Sequence, residues 1–123
     1  MDLVQEMFLE LNHQKLDVFK VTRLFTIECY RVTSKFPADE RYSLTRQVRR
    51  AALSVFLNIN EGASRSSLVE RKRFFEISRS SLVEVDAALD IALILGYCKK
   101  EELDNLGTLL IRCFGMLSKL INK

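Results

Sequence analysis

Apolar residues recur at three- and four-residue spacing over most of this chain, the period of helices with one buried face. In the stretch Asp2–Leu11, the residues Leu3, Val4, Met7, Phe8 and Leu11 share a side and predict a short amphipathic helix. Asn12 either ends that helix or caps the next. From about Gln14 to Ser34 the apolar positions form two seams. Leu16, Phe19, Ile27 and Tyr30 make one, and Val18, Val21, Phe25 and Val32 lie nearly opposite. A small bundle needs one seam for its core. The second calls for cover from the N-terminal segment or from another subunit, and the same apolar excess on later helices favours a subunit.

Phe36-Pro37 ends this first long helix, because a residue before proline is pushed out of helical angles. Ala38–Tyr42 is the connection, with Asp39 and Glu40 near the next helix start, where the dipole favours acids, and with Ser43 or Thr45 as N-cap. The second helix runs to Gly62 or Ala63. Its core side is Leu44, Val48, Ala51, Ala52, Val55 and Ile59, while Leu53, Phe56 and Leu57 project elsewhere, beside Arg46, Arg49 and Arg50. Gln47, Ser54, Asn58 and Glu61 fall in one polar row along an edge of the core side. Such a row needs hydrogen-bond partners. Bonds to Arg50, Ser78 or Ser81 would make it a device that registers the second helix on the third; the other reading is a pocket lining. The structural reading is preferred, since no nucleophile with an activating base accompanies the row.

Gly62–Ser67 is a small-residue break, and Ser67-Leu68-Val69-Glu70 reads as a capping box opening a third helix. That helix extends to about Leu95, with Gly96 as its stop. Phe74, Phe75, Leu82, Val85, Leu89, Ala92 and Leu93 form its core face; Ile77, Ile91 and Leu95 lie on a flank, Val83 and Ile94 further round. The last helix, about Lys99–Ile121, repeats Leu103, Leu106, Leu110, Cys113, Leu117 and Leu120, a bundle seam. Leu109, Ile111, Phe114 and Met116 widen its apolar surface. Short connections favour antiparallel neighbours, so the expected fold is an all-α, up-down-up-down four-helix bundle over residues 13–123 behind an amphipathic extension over residues 1–12.

Composition narrows the function classes. The 123 residues suit one domain, and 48% hydrophobic with 28% charged residues describes a folded chain. No apolar run reaches the roughly 18 residues of a membrane span. The acidic start lacks a signal peptide's basic region, so a cytoplasmic protein with no membrane partner is expected. Cys29, Cys98 and Cys113 include no CxxC pair and read as reduced apolar residues. His13 is the only histidine. Glu84, Asp86 and Asp90 lack the Glu-x-x-His partner of a bundle metal site, and no GxGxxG, P-loop or GxSxG occurs. No catalytic residue, metal, cofactor or small-molecule substrate is expected.

Charge is unevenly placed. From Arg41 to Arg79 nine Lys or Arg face three acids, so this third carries +6 within a chain whose net charge is +3. Arg46, Arg49, Arg50, Arg65, Arg71, Lys72 and Arg73 come from the second helix, the following turn and the start of the third helix. Guanidinium groups hold phosphates bidentately and stay charged, so these seven are the candidate nucleic-acid contacts, to RNA or DNA backbone more than to base edges. Their plainer use is a solvated face paired with acids on neighbouring helices or subunits.

LDVFK near Leu16, Phe36-Pro37 followed by ERYSLTRQVRRAALSVFLNINEG, and then FFEISRSSLVEVDAALDIALILGY resemble the bacterial four-helix-bundle family encoded in intervening sequences of 23S ribosomal RNA genes. The matching positions are Phe36, Pro37, Glu40, Leu44, Gln47, Arg50, Ala51, Ser54, Asn58, Ile59, Glu61 and Gly62, then Ser81 and Glu84. Asn60 stands where the family usually has alanine, and Phe56 where it has a smaller or aliphatic residue. The resemblance implies an antiparallel bundle assembled as a ring, commonly a homopentamer, with no established enzymatic activity. More distantly the chain is similar to the accessory variability determinant protein of retroelements, a basic pentamer that works with reverse transcriptase and nucleic acid. The leading expectation is therefore a non-enzymatic oligomer that binds RNA or other nucleic acid. Its rivals are an assembly or adaptor protein without nucleic-acid binding and, more weakly motivated, a small enzyme pairing Glu61 with Arg50.

Overall fold

The computed structural model describes residues 8–9 and 11–123, and their regular structure is all helical, with no strand. Helix α1 is Asp17–Thr33, α2 is Leu44–Ala63, α3 is Leu68–Ile94 and α4 is Asp104–Ile121. Short 3-10 turns at Asn12–Lys15, Ala38–Glu40 and Lys100–Leu103 precede α1, α2 and α4. The helix expected over Asp2–Leu11 lies for the most part outside the described residues. Helix α1 packs on α2 and α4, and α3 packs on the same two, so the four helices close into a square bundle with α2–α3 as its most extensive pairing.

Each helix buries one stripe. Val18, Val21, Phe25, Cys29 and Val32 of α1 meet Val48, Ala51, Ala52, Val55 and Ile59 of α2 in the core, with Leu82, Val85, Leu89 and Ala92 of α3 and Leu106, Cys113 and Leu117 of α4. The second seam of α1 divides. Phe19 is buried, its ring 5.0 Å from Phe56 and 5.8 Å from His13, whereas Leu16 and Tyr30 face solvent. On α4 the core admits Leu109 and Ile121 and leaves Leu110 and Leu120 half-buried. A 3.6-residue helix drifts against a seven-residue seam, so a neighbouring position takes over along its length. Thr22, Thr26 and Thr33 are buried yet satisfied, each hydroxyl donating to the carbonyl four residues back.

The helix ends show which local signals acted. The Ser67 hydroxyl accepts the Glu70 N–H at 3.3 Å and starts α3. Gly96 closes it with φ +76°, where the Gly96 N–H donates to the Leu93 carbonyl and Tyr97 to that of Ala92. At the start of α2, neither Ser43 nor Thr45 caps. The 3-10 turn instead brings back the Glu40 carboxylate, which accepts the Leu44 N–H at 3.1 Å. Small residues let α2 and α3 approach closely: a Cβ on Gly62 would stand 2.8 Å from the Phe75 ring and 3.0 Å from the Phe74 Cβ.

Candidate nucleic-acid interface

Helix α2 has 20 residues and is therefore about 30 Å long, so its basic residues fall into two groups at opposite ends. The first group holds Arg46, Arg49 and Arg50. The second, at the turn into α3, holds Arg65, Arg71, Lys72 and Arg73. The structure does not bring the seven together into one patch.

Within both groups some side chains are occupied by the fold. Arg49 lies over the Tyr30 ring, 4.9 Å from its centroid. It donates to the Thr33 hydroxyl at 2.9 Å and to the Tyr30 carbonyl at 3.3 Å. Arg65 pairs with Glu61 one turn earlier and covers the Phe74 ring at 5.0 Å. Arg71 reaches back to the end of α2, donating to the Arg65 carbonyl at 2.7 Å and the Ala63 carbonyl at 3.2 Å. It thereby satisfies the Ala63 acceptor that the helix C-terminus leaves open and sets its charge on the negative end of the dipole. Arg46, Arg50 and Arg73 are exposed, Lys72 is half-buried, and none of these four has an ion-pair or hydrogen-bond partner among the described residues.

The polar row also divides. Gln47 and Glu61 are exposed, and Ser54 and Asn58 are half-buried. The Ser81 hydroxyl donates to Ser54 Oγ at 2.9 Å, and the Asn58 amide donates to the Ser54 carbonyl and hydroxyl. Gln47 donates to Glu84 across to α3 at 3.4 Å, and the buried Ser78 hydroxyl donates to the Val55 carbonyl at 2.7 Å. Arg50 takes no part. Glu61 meets Arg65 and not Arg50, which stands eleven positions away on α2, so the carboxylate and guanidinium of an imagined Glu61–Arg50 pair are not adjacent.

Beside the first group is an open cleft of about 450 Å³, lined by Tyr30, Tyr42, Arg41, Arg46, Arg49 and Arg50, with Thr45 and Leu53. No carboxylate among the described residues lines it. The cleft joins α1 to residues of the connection before α2, and the charge pattern along α2 does not reveal Tyr30, Arg41 or Tyr42 as its neighbours. The signal available was the basic-aromatic pair Arg41-Tyr42 set directly ahead of a helix start.

Other reactive groups are quiet. Burial pushes the Cys29 thiol far up and that of Cys113 up to about 12, so both stay protonated at neutral pH. The Arg31 guanidinium beside Glu28 holds that carboxyl below its usual range. Partial burial, with Glu40 beside it, raises the Tyr97 hydroxyl. His13 bonds Asn60 at 3.1 Å. Among the described residues no group of three or more His, Cys, Asp or Glu could hold a metal, and no helix is long and apolar enough to cross a membrane.

Considerable apolar surface stays exposed, with Leu53 and Leu57 on α2, Ile77, Val83, Ile91 and Ile94 on α3, and Ile111 and Phe114 on α4.

No curated protein matches the chain. A crystal structure of a protein of unknown function from the S23 ribosomal protein family of Bacteroides thetaiotaomicron superposes with a TM-score of 0.77 at 18% identity, covering 86% of this chain and 99% of that one. At that identity the likeness speaks for the shared bundle. The sequence match is to the model of the 23S rRNA-intervening sequence proteins, and it takes in residues 14–119, from the turn before α1 to the last turn of α4. With nearly all of the bundle inside that match, the chain belongs to the 23S rRNA-intervening sequence protein family.

Proposed function

We propose that this protein is a non-enzymatic, cytoplasmic assembly of identical subunits, five in a ring, that binds RNA or other nucleic acid through cations of α2 and the start of α3. The observation that carries the binding is the set Arg46, Arg50, Lys72 and Arg73, which is without partners among the described residues even though Glu70 and Glu76 share α3 with the last two. Cations left unpaired by their own fold are available to neutralise phosphates. The assembly is supported by the exposed Leu53 and Leu57 of α2 and the exposed Ile111 and Phe114 of α4, which stand at opposite corners of the square. Two different patches on opposite sides suit a head-to-tail contact that closes into a ring.

Filter binding with a structured RNA tests the first part. Affinity should fall steeply with salt, and Arg46→Ala with Arg50→Ala should reduce the salt slope by about one per lost phosphate contact. A flat salt response, or affinity untouched by both substitutions, leaves an adaptor whose cations serve subunit contacts. Light scattering tests the second part: the mass of a single chain at micromolar concentration overturns the ring.

A further inference from the structure

The connection that carries Arg41 and Tyr42 is held by three contacts, two of them with Tyr97. Phe36 is buried, with the Tyr97 ring 5.9 Å away. The Glu40 carboxylate accepts the Leu44 N–H through one oxygen and the Tyr97 hydroxyl, at 3.2 Å, through the other. A turn so fixed could have tucked its tyrosine in. Instead Tyr42 is 77% exposed, the most exposed of the three tyrosines, and its one ring contact among the described residues is with the Arg41 guanidinium, 6.0 Å from its centroid. Tyr30, which also lines the cleft, already carries Arg49 over its ring. Tyr42 is thus an exposed aromatic face on a rigid mount, in a cleft that no carboxylate of the described residues lines.

Arg46 and Arg50 rise from the same cleft one helical turn apart, about 6 Å along the axis, and neither has a partner among the described residues. An aromatic face beside unpaired guanidinium groups is the equipment with which proteins hold single strands, stacking a base and neutralising the flanking phosphates. A duplex cannot use it, because base pairing and stacking hide the faces of its bases, and the deep major groove of A-form RNA excludes side chains.

We propose that the cleft at the start of α2 is a stacking subsite for an unpaired base of single-stranded RNA. The base lies on Tyr42 with Arg41 at the ring, and Arg46 and Arg50 hold the neighbouring phosphates. Arg49 is the fixed wall that keeps Tyr30 in place. This rests on the nucleic-acid reading above and specifies the form of nucleic acid that the α2 start receives.

The test uses the full chain in its own assembly and a 12-nucleotide single-stranded RNA carrying one 2-aminopurine, alone or annealed to its complement. The single strand should bind at least tenfold more tightly than the duplex, with 2-aminopurine fluorescence changed on binding. Tyr42→Ala should weaken the single strand by roughly five- to a hundredfold and leave duplex affinity as it was, while Tyr42→Phe keeps the stacking face and should bind as the parent does. Circular dichroism and light scattering of both variants verify that fold and assembly are intact. Equal binding of single strand and duplex, or unchanged affinity in Tyr42→Ala, overturns the stacking subsite and leaves the broader reading standing. Failure to bind RNA in either form overturns both.

Discussion

At the end of α2, Arg65 and Arg71 work for the fold. One is paired with Glu61 and laid on Phe74; the other is tied to the last carbonyl of the helix, that of Ala63, and to the Arg65 carbonyl in the turn. At its start, Arg46 and Arg50 line a cleft and have no ion-pair or hydrogen-bond partner among the described residues. The residue type is the same, and so is the sequence signal. The difference lies in what stands beside each guanidinium: Glu61 and the Phe74 ring for Arg65, two carbonyls for Arg71, and at the start of α2 the Thr33 hydroxyl and Tyr30 carbonyl, which Arg49 alone takes up. A run of arginines therefore has to be divided by what surrounds each guanidinium before any of it is assigned to a partner.

That contrast can be broken by comparing substitutions at the two ends. The largest effect should come from Gly62→Val near the turn. Side-chain atoms there would press on Phe74 and Phe75, and overpacking at this contact should cost about 3 kcal/mol in urea unfolding. Arg71→Ala should come next, with a loss of about 1.5 kcal/mol as two charge-assisted bonds to carbonyls disappear. Any fall in RNA affinity of that variant should track its lost stability. Between the two ends, Ser78→Ala on α3 removes a buried hydroxyl from the Val55 carbonyl of α2 and should cost about 1 kcal/mol. The smallest effect on stability belongs to Arg50→Ala, within about 0.5 kcal/mol of the parent, with RNA binding weakened all the same. Equal destabilisation by Arg50→Ala and Arg71→Ala would erase the distinction between the two ends.

Much of the bundle was legible in the sequence because helical burial is periodic. Val48, Ala52, Val55 and Ile59 are a stripe on paper and a stripe in the core. The Ser67 cap and the Gly96 stop could be read because each acts within a few residues of itself. The start of α2 could not. Ser43 has the right chemistry for a cap, but the 3-10 turn at Ala38–Glu40 hands the task to Glu40, a choice made by backbone path. The exposed seam of α1 was half legible: Phe19 finds Phe56 and His13, while Leu16 and Tyr30 find no full cover, and periodicity alone does not rank them. The candidate site was least legible. Its cleft joins Tyr30 to Tyr42 and Arg50 across a chain reversal, and no single helical wheel contains all three.

The bundle also has an unequal history of closure built into its connections. Helices α2 and α3 are joined by residues 64–67 alone, so their pairing needs little chain ordering. Helices α1 and α4 meet only after nearly the whole chain has turned back on itself. The α2–α3 hairpin should therefore exchange its amide hydrogens most slowly, and the α1–α4 seam should be first to part. Cys29 and Cys113 are buried on those two helices. A thiol reagent would find them only when the seam opens, so their labelling rate is a native clock for breathing of the bundle.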